Sequence, residues 1–333
     1  MTPSHRKIRY GLIGFGLFAE KAIAPAIRSS SNSELIAIQK RSLAAAESKA
    51  KEYSIPLAFD SVEELVSSDK IDAVYIASAN SEHCPETLAA ARAGKHVLVE
   101  KPMALNAREC RRMISACRKG GVKLMVGHML RLSPLVRRMR DIVRSGMLGE
   151  VRTARADFIY DARLSKRSWL LDRKTAGGGP IYDIGVHGLD TLRYILDDEV
   201  VSTKSDLSPR PTVRRTEEIA NLLLRFSHGT LATISCSFVA PLRRTFIEFI
   251  GTEGIISAYT FTQNNATVYL NITMGKEGKE ESTKTEEMIV PNLYVEQVSR
   301  FSANVLEDTE PFAGGENGLR NQLVLDAALG AGR

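Results

Sequence analysis

Cysteine and aromatic residues are scarce in this sequence: 333 positions hold four cysteines, one tryptophan and 6% aromatic residues in all. Cys84, Cys110, Cys117 and Cys236 form no C-x-x-C pair and have no histidine at metal-ligand spacing, which argues against a disulfide framework and a zinc site. Isolated cysteines of this kind fit a reducing, cytoplasmic setting, so the sequons at Asn265 and Asn271 carry little weight. No run reaches the ~18 apolar residues of a membrane span. Arg6, Lys7 and Arg9 ahead of the apolar residues 11–19 imitate a secretion signal, but Glu20 and Lys21 follow at once and no small-x-small site comes next. A buried first strand explains that stretch better. The net charge is +6, yet the basic clusters at Arg137, Arg138 and Arg140, at Arg214 and Arg215, and at Arg243 and Arg244 are scattered. Nucleic-acid binding wants such charge on one face with aromatic residues among it, so these read as solvated faces.

What is present is ordinary for a folded chain: 44% hydrophobic and 25% charged residues, at a length that suggests two domains. Residues 8–13, 35–38, 73–77, 96–99 and 123–126 are short, almost continuously apolar runs. Amphipathic stretches at 17–28, 43–53, 62–66, 84–93 and 107–119 separate them. Strands of that character belong to a parallel sheet covered on both faces, and the alternation predicts a doubly wound α/β domain over residues 1–127. From 128 to 333 the style changes. Helices are expected at 133–145 and 183–196, and strands at 150–160, 219–226, 231–239, 246–250, 255–259, 267–272 and 288–290, with a charged loop over 276–287. Glycine-containing connections at 227–230 and 251–254 predict hairpins. The expectation is an α+β domain with an open, mostly antiparallel sheet, helices on one face, and a second copy of the chain covering the other.

Four groups of residues carry chemistry. Gly14, Phe15, Gly16, Leu17, Phe18 and Ala19 fit G-x-G-x-x-A at the first strand–helix junction, where glycines let the backbone approach a pyrophosphate. The second strand ends in Gln39, Lys40, Arg41 and Ser42, with no acid before Glu47. The carboxylate that would bind an NAD ribose is missing, and two cations with a hydroxyl suit a 2′-phosphate, so NADP is expected, with NAD possible. Glu100-Lys101-Pro102 follows the strand at 96–99, at the carboxyl edge where ligands bind. A Lys ammonium there can stabilise an alkoxide. Finally Gly177, Gly178 and Gly179 precede Asp183 and His187, which share one helix face and suit proton transfer, a metal pair or a structural cap. No third metal ligand is evident.

With these motifs placed, the chain resembles the Gfo/Idh/MocA oxidoreductases. The resemblance also rests on Ser78-Ala79-Asn80 with His83 and on Gly94-Lys95-His96-Val97, and it spans nearly the whole chain. It implies a nicotinamide-dependent reaction at a sugar or polyol carbon. Lys101 is then catalytic, His187 the acid/base, and Asp183 a substrate-hydroxyl ligand. Ser78, Ala79, Asn80, His83 and Glu100 lie toward the nicotinamide half, and the substrate between the domains. The segments Ser168-Trp169, Asp190-Thr191-Leu192-Arg193 and Asn292-Leu293-Tyr294 are similar to those of 1,5-anhydro-D-fructose reductases, which would put Trp169 and Tyr294 beside cofactor and substrate. Leu170, Gly127-His128-Met129 and Ala79 depart from that group, so the exact sugar stays open. The resemblance also extends to non-catalytic dinucleotide-binding sensors, but these have no need of Lys101, Asp183 and His187 together.

Overall fold

The computed structural model of the chain describes residues 6–162, 167–275 and 281–330. Two compact units emerge, one of residues up to 127 with 294–322, the other of 128–293 with those from 323 onward.

The first unit is a six-stranded parallel sheet of β1 (Ile8–Ile13), β2 (Ser33–Gln39), β3 (Leu57–Phe59), β4 (Ala73–Ile76), β5 (His96–Val99) and β6 (Leu124–Val126), in the order β3-β2-β1-β4-β5-β6. The connections are α1 (Ala24–Ser29, continuing a π-helical turn at Ala19–Ile23), α2 (Leu43–Glu52), α3 (Val62–Ser67), α4 (Asn80–Arg92) and α5 (Ala107–Lys119). Side chains alternate across the strands, so Tyr10, Leu12, Tyr75 and Leu98 enter one core. Ile13, Val74, Ile76, Val97 and Val99 enter another on the opposite face. Burial on both faces is why these strands read as unbroken apolar runs. Strand order reverses between β1 and β4, the switch point where such sheets open a crevice.

The second unit is an eight-stranded sheet. It comprises β7 (Val151–Asp161), β8 (Val200–Ser208), β9 (Ile219–Phe226), β10 (Leu231–Ser237), β11 (Val239–Gly251), β12 (Gly254–Tyr259), β13 (Ala266–Met274) and β14 (Ser282–Val290). The order is β14-β13-β12-β11-β7-β10-β9-β8, antiparallel except between β7 and β10. Helices α6 (Pro134–Arg144), α7 (Arg173–Ala176) and α8 (Val186–Leu196, continuing a π-helical turn at Ile181–Gly185) belong to this unit. In β9 Ala220, Leu222, Leu224 and Phe226 are buried while the residues between them are exposed, so one face carries the core.

Three expectations need correcting. Residues 282–287, read as loop, lie in β14, where Glu286 is paired with Arg138 of α6 at 2.8 Å; residues 276–280 of that segment lie outside the described residues. Strand β8 went unpredicted because its sequence, VVSTKSDLS, is polar and mostly exposed at the sheet edge. The chain's return was also missed. Helix α9 (Leu293–Leu306) carries Val298 and Phe301 into the first unit's core, and the Tyr10 and Ser302 hydroxyls are 2.7 Å apart. A division of the linear sequence at residue 128 cannot express this, because α9 and part of α10 (Gly315–Ala328) pack with the parallel sheet.

Candidate active site

In the first unit, Gly14 turns with φ +76°, and a Cβ there would lie 2.6 Å from the Ser78 backbone. The loops after β1 and β4 therefore touch at the switch point. Gln39 braces this turn: its Oε1 accepts from Gly14 N at 3.3 Å and its Nε2 donates to Asp60 O at 3.0 Å. Gly16 differs. A Cβ there would meet nothing nearer than 3.9 Å, so the protein's own packing does not require glycine. A backbone left bare there suits the close approach of a pyrophosphate. Phe15 and Ala19 turn into the core, Phe15 edge-on to Tyr53, so only their backbones face the loop; Leu17 and Phe18 are exposed. Tyr294, at the start of α9, packs edge-on to Phe18 with ring centroids 5.5 Å apart.

At the end of β2, Lys40 Nζ donates to Phe15 O at 2.6 Å, Arg41 is exposed, and Ser42 caps α2 through Ala45 N. Lys40 thus braces the glycine loop, leaving Arg41 as the solvent-facing cation.

Lys101 follows β5 in a turn with a cis peptide to Pro102. The turn is held from two sides. Glu100 accepts from Lys101 N at 3.3 Å and from the Tyr75 hydroxyl at 2.6 Å, and that hydroxyl in turn accepts from Gln297 Nε2 at 3.0 Å. His83, fully buried, sets Nδ1 2.9 Å from Pro102 O and Nε2 3.3 Å from Ser78 O. Burial lowers its pKa to about 4, so the ring is neutral at pH 7, and the shorter contact assigns its one N–H to Nδ1. His83 therefore ties two loops together. Asn80 begins α4 and is buried, while Ala79, at the cap, offers no side-chain acceptor. Ser78 Oγ donates to Glu86, whose carboxyl burial pushes up to about 8.

In the second unit, the three glycines make room. A Cβ on Gly178 would lie 2.5 Å from the Tyr182 ring, and one on Gly179 would strike the Glu217 carbonyl. Glu217, completely buried, accepts from Gly179 N at 2.9 Å and Ile181 N at 3.3 Å. It caps the turn that presents Asp183. Both Asp183 oxygens are engaged: Arg167 donates to Oδ1 and Oδ2 at 3.1 Å each, and the Tyr160 hydroxyl to Oδ2 at 2.7 Å. His187 is the second residue of α8, its ring 6.2 Å from that of Phe158. Trp169 is half-buried in a short 3-10 turn, Ser168–Leu171. Deeper in this unit, Asp190 is held by Arg131 at 2.8 and 2.9 Å, which keeps its carboxyl far below the usual range despite burial.

Tyr75, Glu86, Tyr160, Arg167, Glu217 and Gln297 escaped the sequence reading, and Gln39 was read only for its place before Lys40, not as a brace of the glycine turn. Each acts through a partner outside its own short segment, so no local motif marks it. Among the described residues no group of three or more His, Cys, Asp or Glu could hold a metal ion, and no helix is long and apolar enough to cross a membrane.

The family described as "Oxidoreductase family, NAD-binding Rossmann fold" matches residues 8–128, and the Gfo/Idh/MocA C-terminal domain matches residues 136–257. The 1,5-anhydro-D-fructose reductase of Ensifer adhaerens is 34% identical, covering 93% of this chain and 92% of its own length. A mouse trans-1,2-dihydrobenzene-1,2-diol dehydrogenase is 32% identical over 74% of this chain and 73% of its own. Among solved structures, an aldose-aldose oxidoreductase from Caulobacter crescentus, complexed with glycerol, superposes with a TM-score of 0.87 at 30% identity, covering 98% and 99% of the two chains.

Proposed function

The chain belongs to the Gfo/Idh/MocA oxidoreductase family, an NAD(P)-dependent family, and from that premise we propose that it transfers hydride between NADP and the carbonyl or hydroxyl carbon of a sugar or cyclic polyol. The observation that carries the cofactor half is Gly16, a glycine that the protein's own packing leaves unexplained, in a loop at the switch point of a parallel sheet. Residues 14–18 would hold the pyrophosphate by their backbone, with Tyr294 and Phe18 beside it. Arg41 would meet a 2′-phosphate, with Lys40 bracing the loop beneath. The bound nicotinamide supplies or accepts the hydride.

The protein's residues do the rest. His187 gives a proton to the substrate oxygen during reduction and takes it back during oxidation. Lys101 stabilises the negative charge developing on that oxygen, worth ~3 kcal/mol for one well-placed donor. Asp183 accepts a substrate hydroxyl and orients the ring. Glu100, Tyr75, Gln297 and His83 hold the Lys101 turn. We further propose that the open face of the second sheet pairs with a second copy.

The relatives act on different substrates, and 1,5-anhydro-D-fructose is the first to try. The test follows absorbance at 340 nm with that ketose, inositols, dihydrodiols and keto-sugars, each with NADPH and NADH. Turnover with one of them, faster with NADPH, is expected. Binding of dinucleotide without turnover of any would favour a sensor.

A further inference from the structure

Helix α5 carries charge of one sign along its solvent face. Its sequence, ARECRRMISACRK, buries Ala107, Cys110, Met113 and Cys117. Arg108, Arg111, Arg112, Ser115 and Lys119, at i, i+3, i+4, i+7 and i+11, share the opposite face and are all exposed. With Leu88 of α4 they line an open groove of about 550 Å³. A helix face in water ordinarily interleaves acids with its cations, because like charges three or four residues apart cost stability. The one acid of α5, Glu109, is turned to the backbone, accepting from Leu105 N at 3.1 Å. Arg118 is matched by Glu316 at 3.5 Å, but Arg108, Arg111, Arg112 and Lys119 make no ion pair among the described residues. Arg108 is also the second residue of the helix, where the positive end of the backbone dipole opposes a cation. An anion in the groove would offset both costs.

We propose that this groove is a docking site for an acidic peptide segment of a partner protein. The proposal uses none of the residues of the oxidoreductase reading and stands without it. Charge complementarity sets the sign of the occupant. Length sets its extent: the distance along the helix from Arg108 to Lys119 is ~16 Å, which one phosphate or carboxylate does not span and a run of acidic side chains does. Arginine supplies three of the four cations, and its planar fork matches a carboxylate at two points. The lining separates a peptide from a nucleic acid. No aromatic ring lines the groove, so bases have nothing to stack on, whereas Leu88 and Ala116 offer an apolar strip to an aliphatic side chain set among the acids.

The test titrates the full chain into a fluorescein-labelled peptide, Glu-Glu-Leu-Glu repeated three times, and reads anisotropy in 50 and 300 mM salt. Wild type should bind, and more weakly at the higher salt, as screening of exposed charge requires. R108Q/R112Q/K119Q should bind about tenfold more weakly, the loss of three exposed ion pairs. K7Q/K51Q/K70Q removes the same charge from exposed lysines elsewhere in this unit and should bind as wild type does. No binding by wild type in 50 mM salt, or equal weakening in the two triple variants, overturns the proposal. Tighter binding of a twelve-base-pair DNA duplex than of the peptide, lost in R108Q/R112Q/K119Q, overturns it in favour of a nucleic acid. The same variant should melt no lower than wild type in 50 mM salt, since it relieves repulsion. A loss of several degrees, or failure to fold, makes the face structural and also overturns the proposal. NADPH turnover enters none of these readouts, so they stand whether or not the oxidoreductase reading does.

Discussion

Single residues in this protein carry unusual protonation states, and Glu86 is the clearest. Its carboxyl is buried against Ser78 with Glu82 and Glu63 nearby, and its pKa rises to about 8. The unfolded chain ionises this group near the ordinary glutamate value of ~4.3, whereas the folded chain keeps it protonated. Between those values the folded state binds more protons, so stability falls as pH rises from about 4.3 to about 8. Glu86→Gln removes that penalty. Its melting temperature should match wild type near pH 4.5 and exceed it at pH 8.5, by several degrees in a thermal scan; equal melting at both pH values would contradict the assignment. His83 acts in the opposite direction, its depressed pKa withdrawing stability as pH falls from about 6.5 toward about 4. Neither state was legible in the sequence. His83 stood out only by resemblance, as a residue near the cofactor, and the structure gives it two loop carbonyls as neighbours.

At the scale of elements, the two glycine segments look alike in sequence and differ in cause. In the 177–179 block the protein itself excludes a side chain: a Cβ on Gly179 would strike backbone at Glu217, which cannot swing aside. In the 14–16 loop, Gly16 has room. Gly179→Ala should therefore destabilise the fold by about 1–3 kcal/mol and disturb the turn carrying Asp183. Gly16→Ala should leave melting unchanged and weaken NADPH binding. Denaturation curves and a cofactor titration on both variants check this, and the reverse pattern would refute it. The parallel sheet was legible because its strands are apolar on both faces and its glycines sit at a junction. Strand β8 and residues 282–287 of β14 were not, since polar edge residues hide a period of two. The π-helical turns at Ala19–Ile23 and Ile181–Gly185 were read as ordinary helix, because a one-residue widening leaves no compositional trace.

For the whole molecule, two facts were out of reach of a linear reading. One is the return of α9 to the first sheet, whose contacts join residues some 290 positions apart, as between Tyr10 and Ser302. The other is the make-up of the open face of the second sheet. Ile219, Leu223, Leu231, Tyr259, Tyr269 and Ile289 are all exposed there, and the strand register puts them on one side. Apolar surface so gathered favours self-association. Light scattering should give twice the chain mass for wild type and a lower mass for the double variant L223K/I289K; a monomeric wild type would remove the dimer from the account. The family, in contrast, was legible from local motifs, since the glycine loop and the Lys101 turn are each written in one short contiguous segment.

The central claim is that Lys101 serves the chemical step rather than the fold or the cofactor. The most direct measurement is NADPH-dependent ketose reduction by Lys101→Ala beside its NADPH affinity. The account predicts that turnover falls by at least about a hundredfold, the cost of one oxyanion-stabilising donor, while NADPH binds as in wild type. Full turnover, or turnover and cofactor binding lost together, would contradict it.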